Sequence, residues 1–279
     1  MSDLIIRGLR YHVDCWGEGR PLLLLHGFTG SSDTWRPFRL AWRGVAAVAV
    51  DLVGHGRTEL PSTPARATMA ECVEDLGLIL DALGLERAAV LGYSMGGRLA
   101  LRFALAQPHR VQALVLEGAS PGLPEEERAA RRLADERLAR LLEEEGIAAF
   151  VAAWEALPLW ASQARLSNEE RERLRLARLA CSPAGLALSL RGMGAGHDEV
   201  ALDRLGELSM PVLLIAGEED QKYAALARAM AARLPTARLA IVPEAGHAVH
   251  LEQPLRFGDL VAQFLDQLTT TTMPVPHRT

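Results

Sequence analysis

Apolar positions along the chain change period several times. Short unbroken apolar runs occur at Pro21 to Leu25, Val45 to Val50, Ala88 to Gly92, Val111 to Leu116 and Val212 to Ala216. Runs of that length, bounded by glycines and polar residues, read as buried strands. Between them the spacing becomes helical. Met69, Cys72, Val73, Leu76, Ile79, Leu80 and Leu83 recur every three or four residues and would share one buried face of a helix over residues 69 to 83, closed by Gly84. Further helices are predicted over Gly96 to Ala106, over residues 222 to 234 and over residues 254 to 268. A β-prone opening, Leu4 to Trp16, precedes the first buried run, and Leu239 to Val242 makes the last strand. Strands alternating with helices imply an α/β fold with a mostly parallel sheet covered on both faces.

That rhythm stops between about Pro121 and Pro183, where charged, alanine-rich and leucine-rich sequence predicts three or four helices and no strand. The expected organisation is a core of residues 1–120 and 184–268, a helical lid of residues 121–183, and a polar, proline-containing tail of residues 269–279 expected to be disordered. No internal repeat is visible.

Composition narrows the possible classes. With 279 residues and 49% hydrophobic composition the chain can bury a full core. It shows no signal-peptide pattern and no apolar stretch near the roughly 18 residues of a membrane span, so a soluble cytoplasmic protein without membrane contact is expected. The net charge of -5 argues against nucleic acid as a partner. Cys15, Cys72 and Cys181 are odd in number and far apart, and read as reduced structural residues; neither disulfide, metal nor cofactor is implied. The basic residues are nearly all arginine, Lys222 being the only lysine. Such a bias follows from a GC-rich genome, so an arginine carries weight only at a motif position; Arg66 and Arg238 read as surface residues.

Gly92-Tyr93-Ser94-Met95-Gly96 fits the G-x-S-x-G nucleophile elbow, with a strand before it and a helix after it as that motif requires. A serine hydroxyl is inert near neutral pH without a base. His247, in Pro243-Glu244-Ala245-Gly246-His247 after the last strand, stands where the chain order Ser, acid, His would place one, with His250 as a nearby decoy. Gly217-Glu218-Glu219-Asp220 follows the strand Val212 to Ala216. Asp220 is favoured there as the carboxylate that orients the imidazole, with Glu218 and Glu219 as alternatives. His26-Gly27-Phe28 resembles a loop that supplies one oxyanion-hole amide, at Phe28, while Met95, directly after the serine, supplies the other.

Together these segments resemble the α/β-hydrolase superfamily over nearly the whole chain, and within it the 2-succinyl-6-hydroxy-2,4-cyclohexadiene-1-carboxylate synthases of menaquinone biosynthesis. The resemblance is carried by the elbow extended through Gly97 to Arg98, and by Ala119-Ser120-Pro121-Gly122-Leu123 with Glu127 to Arg131 and Asp135. It continues in Leu190-Arg191-Gly192-Met193-Gly194, Asp220-Gln221-Lys222-Tyr223 and Gly246-His247-Ala248-Val249-His250-Leu251-Glu252-Gln253-Pro254. It implies a lyase that abstracts a ring proton and expels pyruvate without consuming water. It also implies a small substrate carrying several carboxylates, held by Arg98, Arg131 and Arg178, with Arg128 and Arg175 as alternatives to the last two. Tyr93, Trp154 and Trp160 match residues that wall the family's pocket. One segment departs from the family pattern: Ala195-Gly196-His197-Asp198-Glu199 stands where Thr-Gly and a short Gln/Pro-containing run are common.

The same triad would serve a carboxylesterase or a carbon-carbon bond hydrolase, and a non-catalytic receptor on this fold can retain it. Arg98 and an arginine-bearing lid favour the synthase, since a neutral ester needs no buried cation, whose desolvation is costly when unpaired. The oligomeric state is not legible in the sequence.

Overall fold

In the computed structural model, which describes residues 2–198 and 200–268, eight strands form one sheet in the order β1-β2-β4-β3-β5-β6-β7-β8. The β-prone opening is two strands, β1 (Ser2–Ile6) and β2 (Leu9–Trp16), joined by Arg7 and Gly8, both at positive φ, the geometry of a tight hairpin. The other six, β3 (Arg20–Leu25), β4 (Val45–Val50), β5 (Ala88–Tyr93), β6 (Val111–Glu117), β7 (Val212–Gly217) and β8 (Ala237–Val242), pair in parallel. Along β3 the alternation of a strand divides the leucines: Leu23 and Leu25 join one apolar cluster, Leu22 and Leu24 the other. Both faces are therefore covered.

One cluster is completed by helices α1 (Met69–Ala82) and α2 (Met95–Ala106), where Cys72, Leu76, Ile79 and Leu80 of α1 face inward. Thr68 caps α1 by accepting the Glu71 N–H. The buried face of α1 also holds a carboxylate. Asp75 accepts from Tyr11 Oη at 2.7 Å and from Arg7 and Arg66, so Arg66 is not the idle surface residue expected of it.

Between β6 and β7 the chain inserts α3 (Glu125–Glu144), α4 (Gly146–Glu155), a 3-10 helix (Pro158–Arg165), α5 (Asn168–Leu179) and α6 (Pro183–Met193). Leu186, Ala187 and Leu190 of α6 share an apolar cluster with Ala139, Leu142, Phe150, Val151 and Trp154, so this helical layer runs to Met193 rather than stopping at residue 183. Helix α7 (Gln221–Ala231) ends three residues before the predicted 234, because the chain must turn before Pro235. A one-turn helix, α8 (Val249–Glu252), and a longer one, α9 (Pro254–Asp266), follow β8, and α9 closes the second cluster through Phe257, Val261 and Phe264. The tail of residues 269–279 and Glu199 lie outside the described residues. Among those described, no helix is long and apolar enough to cross a membrane. The three cysteines are unpaired, and burial pushes the Cys72 thiol up to about 12 and those of Cys15 and Cys181 to about 11.

Candidate active site

Ser94 stands at the carboxyl end of β5 with φ 52° and ψ -108°, a conformation that non-glycine residues avoid. Its neighbours show why glycine flanks it. A Cβ on Gly92 would meet the Gly96 carbonyl oxygen at 2.2 Å, and one on Gly96 would meet the Leu25 carbonyl oxygen at 2.3 Å. The strained turn is also tied down from β6, since the Ser94 N–H donates to the Glu117 carbonyl at 2.8 Å.

Ser94 Oγ lies 2.9 Å from His247 Nε2, and His247 Nδ1 lies 2.7 Å from Asp220 Oδ2. Residues from three separate loops thus form one continuous relay. Asp220 caps α7, and its Oδ1 accepts from the Tyr223 N–H at 3.2 Å, which leaves Oδ2 for the imidazole. Glu218 and Glu219 are exposed, and Glu219 pairs with Arg165 at 2.8 Å, so neither alternative carboxylate reaches His247. His250, the decoy, is buried against Glu117, with Nδ1 at 2.9 Å from Oε1. Glu252 holds the His247 loop by accepting from the Gly246 N–H at 2.8 Å and the Ala248 N–H at 3.4 Å.

The loop carrying Phe28 is fixed by His26. Its Nε2 accepts the Leu52 N–H at 3.0 Å, so the ring proton is on Nδ1, which donates to the Gly27 carbonyl at 2.7 Å. Burial lowers the His26 pKa and keeps the ring neutral. Met95 begins α2, and its N–H is one of those a helix leaves unpaired at its N-terminus. Two backbone segments therefore flank the serine.

Aromatic rings enclose the imidazole. Ring centroids of Tyr223, Tyr93 and Trp160 lie 4.4, 5.5 and 5.6 Å from that of His247. Trp154 continues the wall, 5.6 Å from Trp160 and 5.3 Å from Phe28. Tyr223 closes the segment Asp220-Gln221-Lys222-Tyr223, where nothing in the sequence assigns it a task. Only the first turn of α7 brings its backbone to Asp220 and its ring to His247.

The arginines differ from what their sequence positions imply. Arg98 is buried on α2, donating from Nη1 to Asp198 at 3.2 Å and from Nη2 to the Met193 carbonyl at 2.6 Å. Asp198 belongs to the segment that departs from the family pattern, and it also takes Arg102. The burial of Arg98 is thus offset within the protein and does not by itself demand an anionic ligand. Arg131 is half exposed and paired with Asp135, while the alternatives Arg128 and Arg175 pair with Glu125 and Glu155. Arg178 is buried over the Trp160 ring, 5.3 Å from its centroid. Lys222 is exposed.

The family model for the α/β hydrolase fold matches residues 20–254. A Bacillus subtilis protein, assigned provisionally as 2-succinyl-6-hydroxy-2,4-cyclohexadiene-1-carboxylate synthase, is 43% identical over 94% of this chain and 96% of its own length. The synthase of that name from Serratia proteamaculans is 32% identical over 88% of this chain and 93% of its own. Among solved structures, MenH from S. aureus superposes with a TM-score of 0.88 at 32% identity, covering 92% of this chain and 98% of that one. The chain belongs to the α/β-hydrolase fold family and, within it, to the 2-succinyl-6-hydroxy-2,4-cyclohexadiene-1-carboxylate synthases.

Proposed function

We infer that Ser94, His247 and Asp220 carry the reaction of this family. The protein is a carbon-oxygen lyase of menaquinone biosynthesis that eliminates pyruvate from 2-succinyl-5-enolpyruvyl-6-hydroxy-3-cyclohexene-1-carboxylate to give 2-succinyl-6-hydroxy-2,4-cyclohexadiene-1-carboxylate. The observation that supports the assignment of residues is the unbroken relay from Ser94 Oγ through His247 to Asp220.

In that reading His247 takes the Ser94 proton and the serine oxygen removes a proton from the ring. The electron pair of the broken C–H bond forms the new ring double bond, and the ring C–O bond breaks to release enolpyruvate. A proton returned to that enolate gives pyruvate, so no water is consumed. Asp220 holds the imidazole tautomer and stabilises the imidazolium. The N–H groups of Phe28 and Met95 would face the negative charge that accumulates in the transition state. Arg98, Arg131 and Arg178, with Tyr93, Trp154 and Trp160, are offered as the surroundings of a small polycarboxylate, and such an intermediate favours a cytoplasmic enzyme.

The test is incubation with the enolpyruvyl precursor while pyruvate is followed, beside a panel of simple esters. Pyruvate release lost in Ser94→Ala is the expected result. Near wild-type release by that variant, or turnover of esters alone, would remove the proposed roles.

A further inference from the structure

The helical layer over the active site contains buried hydrogen-bond donors that have no acceptor among the described residues: Nε1 of Trp154, Nε1 of Trp160, Nε of Arg178 and Nε2 of Gln163. Leaving a buried donor unpaired is costly, and such groups in a native protein ordinarily meet a partner. These donors are neighbours. The Trp154 and Trp160 rings lie 5.6 Å apart, the Arg178 guanidinium sits over Trp160, and Arg178 Nη2 donates to Gln163 Oε1 at 3.3 Å. Trp160 in turn lies 5.6 Å from His247, so the group of donors reaches the relay.

Gln163 belongs neither to the relay nor to its aromatic wall. It is 6% exposed, and its carboxamide is oriented by Arg178: with Oε1 accepting, Nε2 carries both free hydrogens. Arg178 is committed in part as well. Its Nη1 donates to Glu155 at 3.0 Å and its Nη2 to Gln163, which leaves Nε–H open on the edge that Nε and Nη2 share. A carboxylate that entered between these side chains would have the Nε–H of Arg178 and the Nε2–H of Gln163 as unpartnered donors to accept from.

We propose that Gln163 is a specificity-determining residue that, with the Nε–H of Arg178, binds one carboxylate of the substrate. The proposal rests on the reading of the substrate as a polycarboxylate. Glutamine suits the place because it supplies a donor to the anion while accepting from Arg178, which a second arginine cannot do.

Steady-state pyruvate release by Gln163→Leu and Gln163→Glu, with unfolding midpoints for both, provides the test. Gln163→Leu should raise KM about tenfold with kcat within about twofold, the pattern of a lost binding contact. Gln163→Glu keeps an acceptor for Arg178 but sets a negative charge against the incoming carboxylate, and should raise KM on the order of 100-fold. A role confined to holding Arg178 predicts the opposite ranking, with glutamate milder than leucine. That ranking, or KM unchanged in both variants, overturns the proposal. Wild-type turnover is the control: if the wild type releases no pyruvate, the assignment of the reaction fails instead. Equilibrium binding of the same precursor to wild type and Gln163→Glu then decides Gln163 separately, with weakening in the variant supporting it and equal binding overturning it.

Discussion

The Arg98–Asp198 pair admits a quantitative test. At 3.2 Å, and with an effective dielectric of about 20, the two charges attract by roughly 5 kcal/mol. Both side chains are buried, so this attraction is set against their desolvation, and removing one partner leaves the other's charge stranded. Asp198→Asn retains an acceptor oxygen for Arg98, and the destabilisation expected is about 3 kcal/mol, the lower end for a broken buried pair. Arg98→Met leaves Asp198 with Arg102, bonded at 2.5 Å, and should cost less, about 2 kcal/mol. The double variant removes both charges and should be near 3 kcal/mol rather than the sum, a coupling of about 2 kcal/mol. Unfolding entropy of about 2.1 cal/mol/K per residue gives roughly 0.6 kcal/mol/K for a chain of this length, so Asp198→Asn should lower Tm by about 5 °C. Urea unfolding of the four proteins of the cycle is the assay. Additivity within about 0.5 kcal/mol would refute the reasoning, because the pair would then behave as a solvent-screened surface contact.

Ser94→Ala and His247→Ala should each lower pyruvate release by at least about 1,000-fold in folded protein, and the double variant should be little worse, as measured by kcat. Asp220→Asn should lower kcat on the order of 1,000-fold or more, while Glu218→Gln and Glu219→Gln stay within a few fold. Arg66→Ala should destabilise the protein by about 1 kcal/mol, since Asp75 keeps Arg7 and Tyr11, whereas Arg238→Ala should change the urea midpoint little. His55 is buried with its pKa lowered to about 3 by desolvation, and His26 is lowered for the same reason. Above an unfolded pKa of about 6.5 both states are neutral; as pH falls below it the unfolded chain takes up protons that the native one refuses. Stability should therefore fall as pH drops from about 6.5 toward about 3, by up to about 1.4 kcal/mol per unit for His55, with His26 adding in the same direction, and His55→Phe should make the decline in Tm shallower.

Much of this protein was legible in its sequence because the signals are local. A buried parallel strand needs an unbroken apolar run, a helix on its face needs three- and four-residue spacing, and a strained serine turn needs glycine where Gly92 and Gly96 stand, since any Cβ would strike backbone. Strand positions, the elbow and the family resemblance followed from those constraints. Pairwise assignments did not, because they depend on which side chains meet across long separations. Asp220 was favoured over Glu218 and Glu219 by its place after the strand, but the turn into α7 is what aims its carboxylate at His247 and leaves its neighbours in solvent. His247 was favoured over His250 by chain order, but the partner of His250, Glu117 of β6, is brought beneath it only by the fold. Arg98 carried the family motif, but its partner Asp198 lies 100 residues away in a segment with no recognisable pattern. Gln163 left no mark and Tyr223 stood in a family segment without a task, since a glutamine in a 3-10 helix and a tyrosine in a helical first turn acquire their surroundings only from tertiary packing. Backbone geometry is written in short-range pattern; the partner of a charged or polar side chain is decided by tertiary contact.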